Sequence, residues 1–222
     1  MLLWIFLWSY DACECTTFVM NVDPINEAND SPLMGRRGFV GWFSAFAASL
    51  YISSPKADAA LFYSTKPVPG IPQEWVNKKG LDVLRYANYI KGLRLKNITP
   101  KMVLAPHFKT RGRTGNTLPP KEMWSNIAPT LRVIDVMSSQ LRAPVKELLS
   151  IYRSPRYNRA VRGKSKSIHM QNRAIDVKFE GVSSWSVSKT ARKLRTRGIY
   201  KGGVGHYSSF THVDTRGYNA DW

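Results

Sequence analysis

Two short stretches near the C-terminal end constrain this chain most, because each alternates between an apolar and a polar side. In Ala174-Ile175-Asp176-Val177-Lys178-Phe179, the residues Ile175, Val177 and Phe179 take one side and Ala174, Asp176 and Lys178 the other. In Phe210-Thr211-His212-Val213-Asp214, His212 and Asp214 share a side, roughly 6.5–7 Å apart at Cα, and Thr211 and Val213 take the opposite one. Period-two alternation reads as a half-buried strand. One face of the resulting sheet needs a cover, and the other presents histidine and carboxylate together. If the two strands pair side by side, His212 and Asp176 converge.

The cover is legible in the helical spacing of other segments. Leu84, Ala87 and Ile90 predict a helix from about Leu81 to Lys91. Pro119-Pro120 opens a helical region running to about Leu141, with Trp124, Ile127, Leu131, Ile134 and Leu141 on one face and a split or kink expected at Pro129. Leu148 to Tyr152 reads as a buried strand ending at Arg153-Ser154-Pro155. A further helix is expected from about Ser184 to Arg197, stopped by Gly198, with Val187, Ala191 and Leu194 on its buried side. Phe210 to Arg216 is the last strand, and the basic, turn-rich Arg111–Asn116 is a loop. Helices come first, short strands mostly later, and one helix lies between strands. That order predicts an α+β fold, a small antiparallel sheet with flanking helices, rather than a doubly wound sheet.

Charge and cysteine usage narrow the chemistry. The 222-residue chain carries a formal charge of +18. Residues 60–222 hold 30 basic and 9 acidic residues, so the positive charge lies in that part. Such an excess attracts polyanions, among them nucleic acid, anionic lipid and the anionic polymers of a cell envelope, or serves solubility alone. No nucleic-acid recognition motif accompanies it. The two cysteines, Cys13 and Cys15, precede residue 60. A metal site in the remainder must therefore use His, Asp or Glu.

The N-terminal part reads as an address. Arg36-Arg37 precedes an apolar run from about Phe39 to Ile52, and Ala57-Asp58-Ala59 follows. This is the three-part layout of an export signal, and the arginine pair followed by Gly38, Phe39 and Val40 resembles a twin-arginine signal. The expected organisation is an extension or mis-assigned start at 1–33, the export signal at 34–59, a lead-in at 60–118 that packs on the domain after it, and that domain at 119–222.

Of the four histidines, 107, 169, 206 and 212, three fall in the C-terminal quarter. His169 sits just before the first alternating strand, and Ala174 beside Asp176 leaves room for a metal or substrate. Two imidazoles and a carboxylate suit zinc with a fourth position open, although a plain structural His–Asp contact accounts for the same spacing. His107 reads as a surface or packing histidine. Ser167 serves either a ligand or a turn, Lys164 and Lys166 form a basic rim, and Trp185 and Trp222 are expected to pack.

Ser167-x-His169 with Ala174-x-Asp176, followed by His212-Val213-Asp214, resembles the pattern of the zinc D-Ala-D-Ala peptidases of bacterial cell walls. That group includes carboxypeptidases, endopeptidases and phage endolysins, and shares its fold with the hedgehog signalling domain. Tyr152-Arg153-Ser154-Pro155-x-Tyr157-Asn158 resembles the segment before the first ligand, and Gly202-Gly203-Val204-Gly205 the closing segment. The likeness runs from about Pro119 to Trp222 and is nearest to exported murein endopeptidases with twin-arginine signals.

The resemblance implies one zinc ion per chain on His169, Asp176 and His212, with Arg153 contacting substrate and polarising its carbonyl. It implies hydrolysis of an amide bond in peptidoglycan peptides by an endopeptidase or D,D-carboxypeptidase in the bacterial periplasm. A catalytically weak zinc-containing wall-binding protein is the alternative on the same fold. Many relatives carry a Glu, Asp or His shortly before the last histidine ligand, where this chain has Ser209, Phe210 and Thr211. The proton-transfer role then falls equally on Asp214, which could instead orient a ligand or pair with Arg153 or Arg216, and on His206. The partners expected are peptidoglycan peptides, with anionic envelope polymers as a further candidate, no nucleic acid, no stable membrane span after signal cleavage, and a monomeric chain.

Overall fold

The computed structural model describes residues 63–222. The expected extension at 1–33 and export signal at 34–59, with Cys13 and Cys15, lie outside the described residues. Three short helices come first: α1 (Gln73–Lys79), α2 (Asp82–Gly92) and α3 (Pro100–Leu104). A hairpin of β1 (Thr110–Arg111) and β2 (Thr114–Gly115) follows, then α4 (Ala128–Leu141) and β3 (Val145–Ser150). The chain ends with α5 (Pro155–Ala160), β4 (Ala174–Phe179), α6 (Ser184–Thr196), β5 (Gly203–His206), β6 (Thr211–Asp214) and β7 (Ala220–Asp221). No helix among the described residues is long and apolar enough to cross a membrane.

The fold is α+β, as the alternation and helical spacing predict. The main sheet has the order β3-β4-β6-β5-β7. β4 and β6 pair antiparallel with Asp176 opposite His212 and Ala174 opposite Asp214, so the two polar faces coincide. β5 lies on the other side of β6, with Gly205 opposite His212. The small sheet departs from a purely antiparallel one at its edge. Gly217, at φ +98°, reverses the chain after β6, and β7 passes beyond β5 to pair with it in parallel.

Several local expectations shift for identifiable reasons. The split expected at Pro129 is present: the residue lies in the first turn of α4, where a missing N–H breaks no hydrogen bond. The preceding Lys121–Ile127 is 3-10 helix, and Trp124 and Ile127 still reach the core. β3 lies earlier than Leu148–Tyr152 because its ladder to β4 carries two register shifts and ends at Ser150. The Ile151 carbonyl turns to His169 instead. The loop expected at Arg111–Asn116 is the β1–β2 hairpin. α1, α3, α5, β5 and β7 are short elements the spacing does not announce, so two helices, α5 and α6, separate the later strands.

The apolar face of the sheet (Ile175, Val177, Val204, Val213) joins Leu131, Ile134 and Met137 of α4 and Val187, Ala191 and Leu194 of α6 in one core. Val83, Tyr86 and Ile90 of α2 belong to the same core, so the described part of the lead-in is packed into it. His107 is fully buried there, edge-on to Tyr86 at 5.8 Å, with Nδ1 3.1 Å from the Leu104 carbonyl.

Burial pushes the His107 pKa down to about 4. The unfolded chain takes up a proton near pH 6.5 and the folded chain only near pH 4. His107 therefore withdraws about 3 kcal/mol of stability as the pH falls through that window, and none above it. His107→Leu is expected to flatten the decline in thermal midpoint between pH 7 and pH 4.5. Parallel declines in both proteins would contradict this assignment.

Candidate metal centre

His169 occupies the 3-10 turn Ile168–Gln171, between α5 and β4. Its carbonyl accepts from the Arg153 N–H at 3.2 Å, and its ring Nδ1 lies 2.6 Å from the Ile151 carbonyl. A carbonyl only accepts, so Nδ1 carries the hydrogen and Nε2 is left as a lone pair. That Nε2 is 3.2 Å from Asp176 Oδ1. His212 brings Nδ1 to 2.8 Å from the same oxygen and 3.2 Å from His169 Nε2. The ligand-capable atoms of all three residues lie within 4.8 Å of one another, and all three side chains are buried.

The second nitrogen of each imidazole is committed elsewhere. His212 Nε2 donates to Asp214 Oδ2 at 3.0 Å. Burial lowers the pKa of His169. Burial acts the same way on His212, but its hydrogen bonds to Asp176 and Asp214 outweigh it and raise the pKa. Asp176 stays ionised, because the adjacent imidazoles more than offset the cost of its burial. His212 Nδ1 thus lies within hydrogen-bonding distance of both a carboxylate oxygen and an imidazole lone pair. A dication fits the same place, since two imidazole nitrogens and one carboxylate are a donor set zinc takes.

Asp214 has no exposed surface and uses both oxygens. It accepts from the Gly203 N–H (2.9 Å), from the Arg216 N–H and guanidinium, and from His212. Burial alone would raise its pKa, but these hydrogen bonds hold it well below the usual carboxylate range. Arg153 donates to Asp176 Oδ2 at 2.5 Å and to Ser150 Oγ at 2.7 Å. Ser154 caps α5 by accepting from the Tyr157 N–H, with Pro155 in the first turn. Arg153 is thereby fixed between strand end and helix start, beside the cluster.

The cluster forms part of the wall of a cleft of about 470 Å³. Arg153, Arg162, Lys164, Lys166 and Arg216 line it, and Asp176 is the one carboxylate among its described lining residues. Ser167 also faces the cleft. His206 is placed apart: on β5 it pairs with Thr211, on the opposite sheet face from His212, and its exposed ring meets Ser184 Oγ at 3.2 Å. Trp185 does not pack as expected but is 58% exposed, with the Lys189 ammonium over its ring. A side chain near the N-terminus of α6 on its outer face has no core to reach.

Four further residues shape the site. Trp222, expected only to pack, lines the cleft with its ring 5.1 Å from that of His212, and its Nε1 donates to the Tyr207 hydroxyl at 2.9 Å. Its placement depends on β5. A Cβ at Gly205 would come within 2.5 Å of Trp222 Nε1, and one at Gly203 within 2.5 Å of Asp214 Oδ2. Tyr207 and Phe210, stacked at 4.5 Å, continue the aromatic side of the cleft. Asn116, nearly fully buried, donates to the Pro106 and Tyr152 carbonyls and accepts from the Ser154 N–H, so it ties the β1–β2 hairpin to the Arg153 turn.

Residues 106–214 match the family model Peptidase M15. The matched span holds Arg153, His169, Asp176, His212 and Asp214, and it begins ahead of Pro119, taking in the hairpin and Asn116. Among curated proteins, the chain is similar to the Peptidoglycan L,D-endopeptidase MepK of Escherichia coli (strain K12), at 38% identity over 81 residues. The protein of the same name from Shigella flexneri matches to the same extent. The alignment covers 33% of this chain and 41% of each relative, so the chain spans well under half the length of the curated proteins it matches. No solved structure gives a significant match.

The glycines of β5 yield a prediction independent of any metal. Gly205→Ala pushes a methyl group against the Trp222 indole and is expected to cost about 1–3 kcal/mol of stability. Chemical denaturation and the near-ultraviolet dichroism of tryptophan check this. An unchanged denaturation midpoint and spectrum would mean that Trp222 moves freely.

Proposed function

We propose that the protein is an exported zinc-dependent hydrolase of an amide bond in peptidoglycan peptides, a murein endopeptidase or carboxypeptidase acting in cell-wall remodelling. The observation that carries this reading is the buried convergence of His169 Nε2, Asp176 and His212 Nδ1 at a basic cleft, inside the segment that matches Peptidase M15. The similarity to MepK supports peptidoglycan as the substrate. Arg36-Arg37, the apolar run after it and Ala57-Asp58-Ala59 support delivery to the periplasm by a twin-arginine type of signal.

His169, Asp176 and His212 would hold one zinc ion, which when bound polarises the scissile carbonyl and lowers the pKa of water. Arg153, rigidly held beside Asp176, stabilises negative charge developing on the carbonyl oxygen. Asp214 fixes the ring and tautomer of His212 and, with its oxygens occupied, serves as the orienting carboxylate. The exposed His206 on the opposite face does not line the cleft. Trp222, Tyr207 and Phe210 form an aromatic side of the cleft.

A second reading has its own support: among the described residues lining the cleft, no side chain offers a carboxylate beyond Asp176 or an imidazole beyond the two ligands. A protein that keeps the metal and binds the wall while cleaving slowly or not at all fits that lining.

Elemental mass spectrometry on residues 60–222 is expected to find about one zinc per chain, lost in His169→Ala and His212→Ala. Incubation with murein sacculi should then release new muropeptides only from the zinc-loaded protein. Full zinc with unaltered muropeptides, and retention on sacculi, would select the binding protein. An absence of zinc in folded wild-type protein after supplementation would remove both readings. Asp214→Asn is expected to weaken zinc affinity about 10–100-fold, measured by competition with a chelator.

A further inference from the structure

A second hollow of about 420 Å³ adjoins the cleft, between the β1–β2 hairpin and α5. It is lined by Thr110, Arg111, Tyr157, Ala160, Val161 and Arg162. Val161 and Arg162 also line the cleft, so the two hollows meet at one ridge. Arg162 holds a left-handed backbone, φ +56°, which a non-glycine residue adopts only under constraint. Asn158 supplies that constraint. Its carbonyl accepts from the Gly163 N–H at 2.8 Å, and its side chain donates to the Lys164 carbonyl at 3.0 Å. A Cβ at Gly163 would collide with the Asn158 amide, so the turn cannot slide.

The opposite wall is also anchored, because Asn116 ties the hairpin to the Tyr152–Ser154 backbone. Arg111 and Arg162 make no ion pair with any described residue, and no acidic side chain lines the hollow. Two exposed arginines on fixed backbones thus line a space that would admit a residue-sized group. A guanidinium without a carboxylate partner matches a carboxylate ligand bidentately.

We infer that this hollow is a subsite for a carboxylate of the substrate peptide, with the chain of that peptide running from the His169–His212 cluster over the Arg162 ridge to Arg111. The inference rests on the peptidoglycan reading above and extends it, by assigning selection for un-amidated stem peptides to Arg111 and Arg162. Polyol-phosphate polymers share the negative charge but carry no amide bond beside it.

Equilibrium binding distinguishes these cases without requiring turnover. The zinc-loaded protein is titrated with a soluble disaccharide-peptide carrying free side-chain carboxylates, with its amidated counterpart, and with a polyol-phosphate polymer. The wild type is expected to favour the carboxylate form about five- to tenfold. Arg111→Gln should erase most of that preference, whereas Lys193→Gln, which removes the same charge from the exposed side of α6, should keep it. Equal affinity for both peptide forms overturns the subsite, as does an equal loss in the two variants, or polymer binding that alone depends on Arg111. If sacculi are not cleaved while the carboxylate preference and its loss in Arg111→Gln are seen, the hydrolase reading fails and the subsite stands.

Discussion

Burying a carboxylate is costly unless charge and hydrogen bonds surround it, and the arrangement of this protein follows from how Asp176 meets that condition. Asp176 faces His212 across the β4–β6 pair, receives Arg153 from the turn after β3, and lies 3.2 Å from the His169 ring. Three segments separated widely in sequence are therefore fixed by one side chain. The same buried oxygen that organises them is one a metal ion can take. Asp214 repeats the pattern one step outward, held by Arg216 and the Gly203 N–H while it orients His212. Structure and candidate chemistry thus share the same ion-paired network, and removing either aspartate would disturb both.

Much of this was legible in the residues, for a physical reason. A strand with one buried face must alternate, so the polar faces of 174–179 and 211–214 could be read without knowing their neighbours. Their pairing, with Asp176 opposite His212, is the geometry that makes the motif mean something. Helix α6 is also plain, because Ser183 caps it and Gly198 ends it. What escaped were features set by distant partners. The apolar run Leu148–Tyr152 suggests a strand that continues past Ser150, yet the Ile151 carbonyl serves His169 rather than the sheet. Asn116 looks like any turn asparagine until its three hydrogen bonds are seen. Trp222 reads as a packing residue until the two glycines of β5 are seen to make room for it.

The charge excess acquires a location as well. Of the nine acidic residues after position 60, Asp176 and Asp214 are bound into the site, leaving few to balance the surface. The cleft draws its rim from the Arg162–Lys166 turn and from Arg216. A field of one sign at the mouth of a cleft concentrates anionic ligands and speeds their encounter, an effect that salt weakens.

Gly205 and Trp222 occupy a single volume between them. The indole fills the space that any side chain on that part of β5 would need, and it stands beside a candidate metal ligand. The two positions are therefore not free to vary separately. A lineage that widened this wall by shrinking residue 222 would open room at 205, and one that placed a side chain at 205 would have to surrender the indole. The breadth of the cleft on that side is a joint property of a strand and a residue seventeen positions later, inherited or altered as a pair.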